Sequence, residues 1–215
     1  MSDELALAKL KSSGINSTLA ELHMVALSGP ETAAQGGGFQ SVPSLKIPYI
    51  DPRTGGPLSH RPHWPQFTRY RYLADVQGKD GKTKRYTQTS DTGVCTYFPP
   101  ILNWAAILDD PHHGIAITEG ELKAIKACEM GVPTIALGGV NNIKSVKTCM
   151  EFPHELEAMV WPQRRVAIIF DNDGAPNPNV LEAANYLAGE LEQRGAIPYW
   201  LRLPASTGGA KMGLD

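Results

Sequence analysis

From about residue 110 the chain alternates short apolar runs with stretches of helical period. Residues 114–118 (GIAIT) form an apolar run that predicts a strand. Residues 119–130 follow with helical spacing and stop at Gly131, a residue suited to a helix C-terminus. A second strand is predicted over 134–137, ended by Gly138-Gly139, and a weaker helix over 142–150. Residues 165–170 (RVAIIF) carry the clearest strand pattern in the chain. Over 177–194, Leu181, Ala184, Leu187, Ala188 and Leu191 make one apolar stripe, the mark of a long amphipathic helix. Gly195 ends it, and 197–203 reads as a fourth strand. Strand–helix alternation of this kind predicts a mostly parallel sheet with helices packed on its faces.

The first hundred residues follow a different grammar. Residues 28–38 and 51–57 are rich in Gly, Pro and Ser and read as turns. Between and after them lie short strand-like pieces at 45–49, 66–73, 84–89 and 94–98. Asp80-Gly81 separates two of these pieces and predicts a β-hairpin. The start of the chain, MSDELALAKLKSSG, reads as a short amphipathic helix. The expected organisation is therefore α/β, with a small α+β domain over 1–110 followed by a parallel-sheet domain over 111–215.

Composition narrows the function classes. With 42% hydrophobic and 20% charged residues, the chain matches a globular protein that buries a real core. Its net charge of −2 gives no global attraction to nucleic acid, so any such attraction must be local. The sequence offers no long apolar run for a membrane span and no signal-peptide pattern at its start. Three dispersed cysteines, Cys95, Cys128 and Cys149, fit neither a disulfide framework nor a zinc ribbon. A cytoplasmic setting is expected.

The candidate chemistry is acidic. Ligands of open parallel sheets bind beyond the carboxyl ends of the strands. Glu119 stands at that end of the first predicted strand, and Asp171 and Asp173 stand at that end of the third. Crowded carboxylates repel unless a cation joins them, and magnesium takes carboxylates together with water and substrate phosphates. The plain alternative is that Asp171-Asn172-Asp173 caps the helix that follows. That alternative leaves Glu119 unexplained.

Thr118-Glu119-Gly120-Glu121, the later glycine pair, and Phe170-Asp171-Asn172-Asp173-Gly174-Ala175 together resemble the Toprim family of primases, topoisomerases and related nucleases. The stretch from Ile117 to Gly139 is most similar to Toprim-like domains of phage, plasmid and mobile-element primase or helicase proteins. In those, lysine often follows the Glu-Gly-Glu, as Lys123 does here. SGI (13–15), IPYIDP (47–52), RYRYL (69–73) and YFPP (97–100) resemble, more loosely, the region that precedes such domains. The resemblance implies that Asp171 and Asp173 hold Mg2+ or Mn2+, and that Glu119 contacts the metal or moves a proton. Lys123, one turn into the helix that Glu119 opens, could face this rim or solvent; on the rim it would join Glu119 in catalysis and contact nucleotide phosphates. It also implies an acidic motif after the fourth strand, which Gly213-Leu214-Asp215 would begin. This chain departs from bacterial primases in two ways: it has no zinc-binding cysteine module, and Lys123 stands where an aspartate is common.

Residues 60–86 hold seven basic against two acidic side chains, with aromatics interleaved. Period-two alternation puts Arg69 and Arg71 on one face and Tyr70 and Tyr72 on the other. Arg69, Arg71, Lys84 and Arg85 are candidate contacts to nucleic-acid or nucleotide phosphates, unless this is simply a solvated hairpin whose tyrosines fill the core. Gly120, Gly138 and Gly139 could admit a phosphate near a helix start, or serve only as turns. His112 and His113 precede the first strand, roughly 15 Å from Glu119, and are expected outside the site. The expected function is primase-type, magnesium-dependent nucleotidyl or phosphoryl transfer in DNA replication, on a single-stranded DNA template with nucleotides as substrates. The alternatives are a metal-dependent nuclease and a non-catalytic DNA-binding module that recruits a helicase or polymerase.

Overall fold

The computed structural model describes residues 1–61, 63–78, 81–140, 142–144, 151–171 and 177–201. Asp173, the predicted 142–150 helix beyond Lys144, Asp80 of the predicted turn, Cys149 and Gly213-Leu214-Asp215 lie outside the described residues.

The chain begins with α1 (Ser2–Ser12), β1 (Val25–Leu27), α2 (Gly29–Ala33), β2 (Ser44–Pro48), β3 (Thr68–Tyr72) and β4 (Tyr86–Gln88). These four strands form one antiparallel sheet in the order β1-β2-β3-β4. β3 alternates as its sequence predicts. Thr68, Tyr70 and Tyr72 are buried, with Tyr70 packed against Leu27 and Phe39, while Arg69 and Arg71 share the other face. The β3–β4 hairpin closes through Gly78 and Lys82, whose backbone hydrogen bond measures 2.7 Å.

A second run follows: α3 (Trp104–Asp109), β5 (Ile115–Glu119), α4 (Glu121–Glu129), β6 (Thr134–Leu137), α5 (His154–Glu157), β7 (Arg165–Ile169), α6 (Pro178–Gln193) and β8 (Ile197–Trp200). Its four strands are all parallel, in the order β6-β5-β7-β8. The fold is mixed α/β, a parallel sheet flanked by helices joined to an antiparallel one. β6 is buried along its whole length, as expected of a parallel strand covered on both faces. Its outer edge is closed by Tyr97, which exchanges two backbone hydrogen bonds with Ala136 at 2.8 and 2.9 Å. The predicted strand over 94–98 is thus reduced to one bridge.

Among the described residues two large cores accompany the small Leu27–Phe39–Tyr70 cluster. One lies under the parallel sheet and joins Ile117, Ile135, Val166 and Ile168 to Leu187 and Leu191 of α6. Trp104, Ile107 and Leu108 of α3 pack into it as well, although α3 precedes residue 111. The other is shared between the two halves. Leu45, Ile47, Tyr49 and Phe67 from the antiparallel side meet Leu122, Ala124 and Ile125 of α4 there. Among the described residues no helix is long and apolar enough to cross a membrane.

Candidate functional site

In chain order the parallel sheet starts at β5, adds β6 on one side, then returns to add β7 on the other. Ligands of such sheets bind beyond the carboxyl ends where the order reverses, here between β5 and β7. Glu119 is the last residue of β5, and Asp171 stands two residues past the end of β7. The structure puts both on this rim. Lys123, in the first turn of α4, joins them: its ammonium is ion-paired with Asp171 and lies 4.0 Å from Glu119. The side chain of Asp171 is 8% exposed and that of Glu119 is 24% exposed.

The rim opens into a cleft of about 670 Å3. Its floor holds Glu119, Gly120, Lys123 and Asp171, with Gly138 and Gly139 from the loop after β6. The antiparallel sheet supplies the facing wall through Arg69, Arg71, Arg85 and Tyr86, and α1 adds Lys9 and Ser12. Among the described residues five basic side chains therefore line the cleft against two acidic ones, although the whole chain carries −2. Local concentration of one sign in a cleft attracts anions even where net charge does not. Lys84, half-buried, is not among the lining residues, and Arg85 is exposed within it.

Arg69 is placed differently from the expectation that it contacts phosphate. Its side chain is only 11% exposed, and its guanidinium donates to the fully buried Glu121 carboxylate at 2.8 Å. Tyr49 donates to the same oxygen at 2.7 Å. Burial works against the Arg69 charge, but the facing Glu121 outweighs it and holds the pKa above the ordinary arginine range. Tyr86 lies beneath both arginines, with ring-centroid distances of 4.5 Å to Arg69 and 5.0 Å to Arg71. Burial first, and then Glu121, pushes the Tyr86 hydroxyl up to about 12. Arg69 therefore belongs to the fixed wall, while Arg71 and Arg85 continue it toward solvent.

Local backbone explains how two glutamates one residue apart serve different places. Gly120 has φ 87° and ψ 133°, a conformation nearly confined to glycine. The chain pivots there, so Glu119 ends a strand at the rim while Glu121 starts α4 and points into the shared core. Gly138 has a steric role: a Cβ there would stand 3.0 Å from the Arg69 guanidinium and 2.9 Å from the Asn142 amide. It makes room for Arg69 rather than acting as a bare turn. Glu121, Tyr49 and Tyr86 carry no periodic signal for this role, since their contacts join residues distant in sequence. Their one sequence trace is that Glu121 and Tyr49 fall inside the motifs TEGE and IPYIDP.

The carboxylate oxygens of Glu119 and Asp171 are hard donors of the kind magnesium takes, so the two fit such a site by donor chemistry once the Lys123 ammonium gives way. Among the described residues there is no group of three or more His, Cys, Asp or Glu able to hold a metal, Asp173 being outside them. His112 and His113 lie before β5, at its amino end, where His113 pairs with Asp110 at 2.9 Å. Cys95 and Cys128 are free and buried, and burial pushes the Cys128 thiol up to about 11, which suits neither for nucleophilic work.

The model of a family described as a domain of unknown function, DUF3854, matches residues 103–215. No curated protein matches. Among solved structures, the RNA polymerase domain of Mycobacterium tuberculosis primase DnaG is similar, with a TM-score of 0.58 at 14% sequence identity. That likeness covers 94% of this chain and 68% of the other, and it is a likeness of fold.

Proposed function

Starting from a chain that belongs to the DUF3854 family and shares its fold with a primase polymerase domain, we propose a primase-like enzyme of DNA replication. In this reading it is a Toprim protein, of a phage, plasmid or other mobile element, that joins nucleotides on a single-stranded DNA template. The observation that carries the proposal is the cleft itself, in which the β5 and β7 strand ends face a cationic wall from the other sheet.

Glu119, Asp171 and, from the sequence motif, Asp173 would hold Mg2+ or Mn2+. A divalent ion bound there supplies positive charge to the oxygens of the transferred phosphoryl group. Arg71 and Arg85 bind phosphates of template or nucleotide, and Arg69 fixes the wall from which they reach. Lys123 holds Asp171 in place before substrate enters and turns its ammonium toward a phosphate afterwards. Glu119, the more exposed carboxylate, takes the proton of the attacking hydroxyl.

A second reading, a non-catalytic module that recruits a helicase or polymerase, is favoured by one observation: the Lys123 ammonium already neutralises Asp171. One assay separates the two. The protein is incubated with a single-stranded template, nucleotides and magnesium. New primers that vanish on chelation support the proposal. A gel shift without product supports the recruiting module, and a cut template supports a nuclease.

A further inference from the structure

Glu121 is fully buried, and only one of its two carboxylate oxygens has hydrogen-bond partners, Tyr49 and Arg69. The second oxygen and the Arg69 Nε are both buried without a hydrogen-bond partner. A pair this poorly satisfied is weak support for stability, since apolar residues of similar volume would serve as well. Its position is more informative. Glu121 follows Glu119 across the Gly120 pivot, and Arg69 is pressed between Tyr86 and Gly138 at the cleft wall.

We infer that Glu121 is a positioning residue, which locks Arg69 to the start of α4 and so sets the cationic wall against the Glu119–Asp171 rim. The chain of contacts is short. Arg69 and Arg71 share one face of β3 and one tyrosine ring, so fixing Arg69 also fixes the ring on which Arg71 rests. The carboxylate that fixes it is attached to the same helix as Lys123, two residues away. Wall and rim are thereby set by one buried ion pair between β3 and the start of α4. The motif Glu119-Gly120-Glu121 divides the work: the first glutamate faces substrate and the second holds the apparatus that binds it. This inference rests on the primase-like reading for its substrate, a nucleotide on a template strand, but the coupling it describes does not need chemistry to be seen.

The test is a cycle of Glu121→Gln, Arg69→Gln and the double variant in the full chain. Glu121→Gln keeps shape and removes a negative charge behind the wall. Single-stranded oligonucleotide affinity in metal-free buffer should hold or rise by up to about threefold, while the nucleotide KM rises about tenfold or more. A folding loss would instead reduce the oligonucleotide-binding capacity and the maximal rate and leave the KM of the folded fraction unchanged. In the double variant the KM should rise little further, because the two residues act as one unit. If wild type makes no primer, the enzyme reading fails, and the cycle is then read from oligonucleotide affinity alone. There the two substitutions should depart from additivity by about threefold or more. Additive effects, or a wild-type KM in Glu121→Gln, would overturn the inference. Should Glu121→Gln not fold, Tyr49→Phe removes one of the carboxylate's donors and should shift KM the same way, by roughly threefold. No shift in that variant would count against it equally.

Discussion

Glu119 and Glu121 stand one glycine apart, yet one faces the cleft and the other the shared core. Strand-end logic is enough to find the first. A residue that closes an apolar strand in a parallel sheet must emerge on the ligand-binding rim, and Asp171 is found the same way. Glu121 escapes such reasoning because its partner Arg69 lies 52 positions away on another sheet. Arg69 was legible as a basic residue on a polar face, but its burial depends on what α4 presents to it. His154 is another residue whose role comes from its neighbours. Its ring lies 2.9 Å from the Glu155 carboxylate, which also accepts from the Thr96 backbone, and that facing carboxylate raises the His154 pKa. A histidine with a raised folded pKa contributes stability that is full below its unfolded value, about 6.5, and is lost as pH rises through the folded value. The thermal midpoint should therefore decline slightly from pH 6 to pH 8. His154→Gln should flatten that decline, with the effect kept small by the half-exposed ring. A decline of the same steepness in His154→Gln would assign it to another group.

At the scale of elements, the parallel sheet and the β3–β4 hairpin were legible, because apolar runs bounded by glycine and period-two alternation are strong local signals. The misses were short. β1 is three residues long, and α5 is four. α2 lies in a stretch that reads as turn, although Ser28 and Glu31 form a capping box and Pro30 sits in its first turn. Elements of this size owe their form to packing rather than to periodicity. The β5–α4 junction is the element boundary on which the site depends. Gly120→Ala forces a side chain into a conformation nearly reserved for glycine, at a cost of about 1–3 kcal/mol, although nothing lies within 4 Å of the new Cβ. Chemical denaturation should show that loss, together with a higher nucleotide KM as wall and rim separate. Unchanged stability would mean that the pivot relaxes freely.

At the scale of the molecule, two halves predicted as separate domains share a core through α4, with the cleft between their polar faces. That sharing could not be read from the sequence. Apolar positions on β2 and α4 show that something covers them, and nothing in either pattern names the other as partner. If the β5–β7 rim holds the divalent ion of a nucleotidyl transferase, metal-directed cleavage will map it on the polypeptide. With Fe2+ in place of magnesium, plus ascorbate and peroxide, the polypeptide should be cut near residues 119–123 and near 171. Excess Mg2+ should suppress those cuts, and Asp171→Asn should abolish them. Cuts that cluster elsewhere, or that persist unchanged in Asp171→Asn, would mean that this rim is not the metal site.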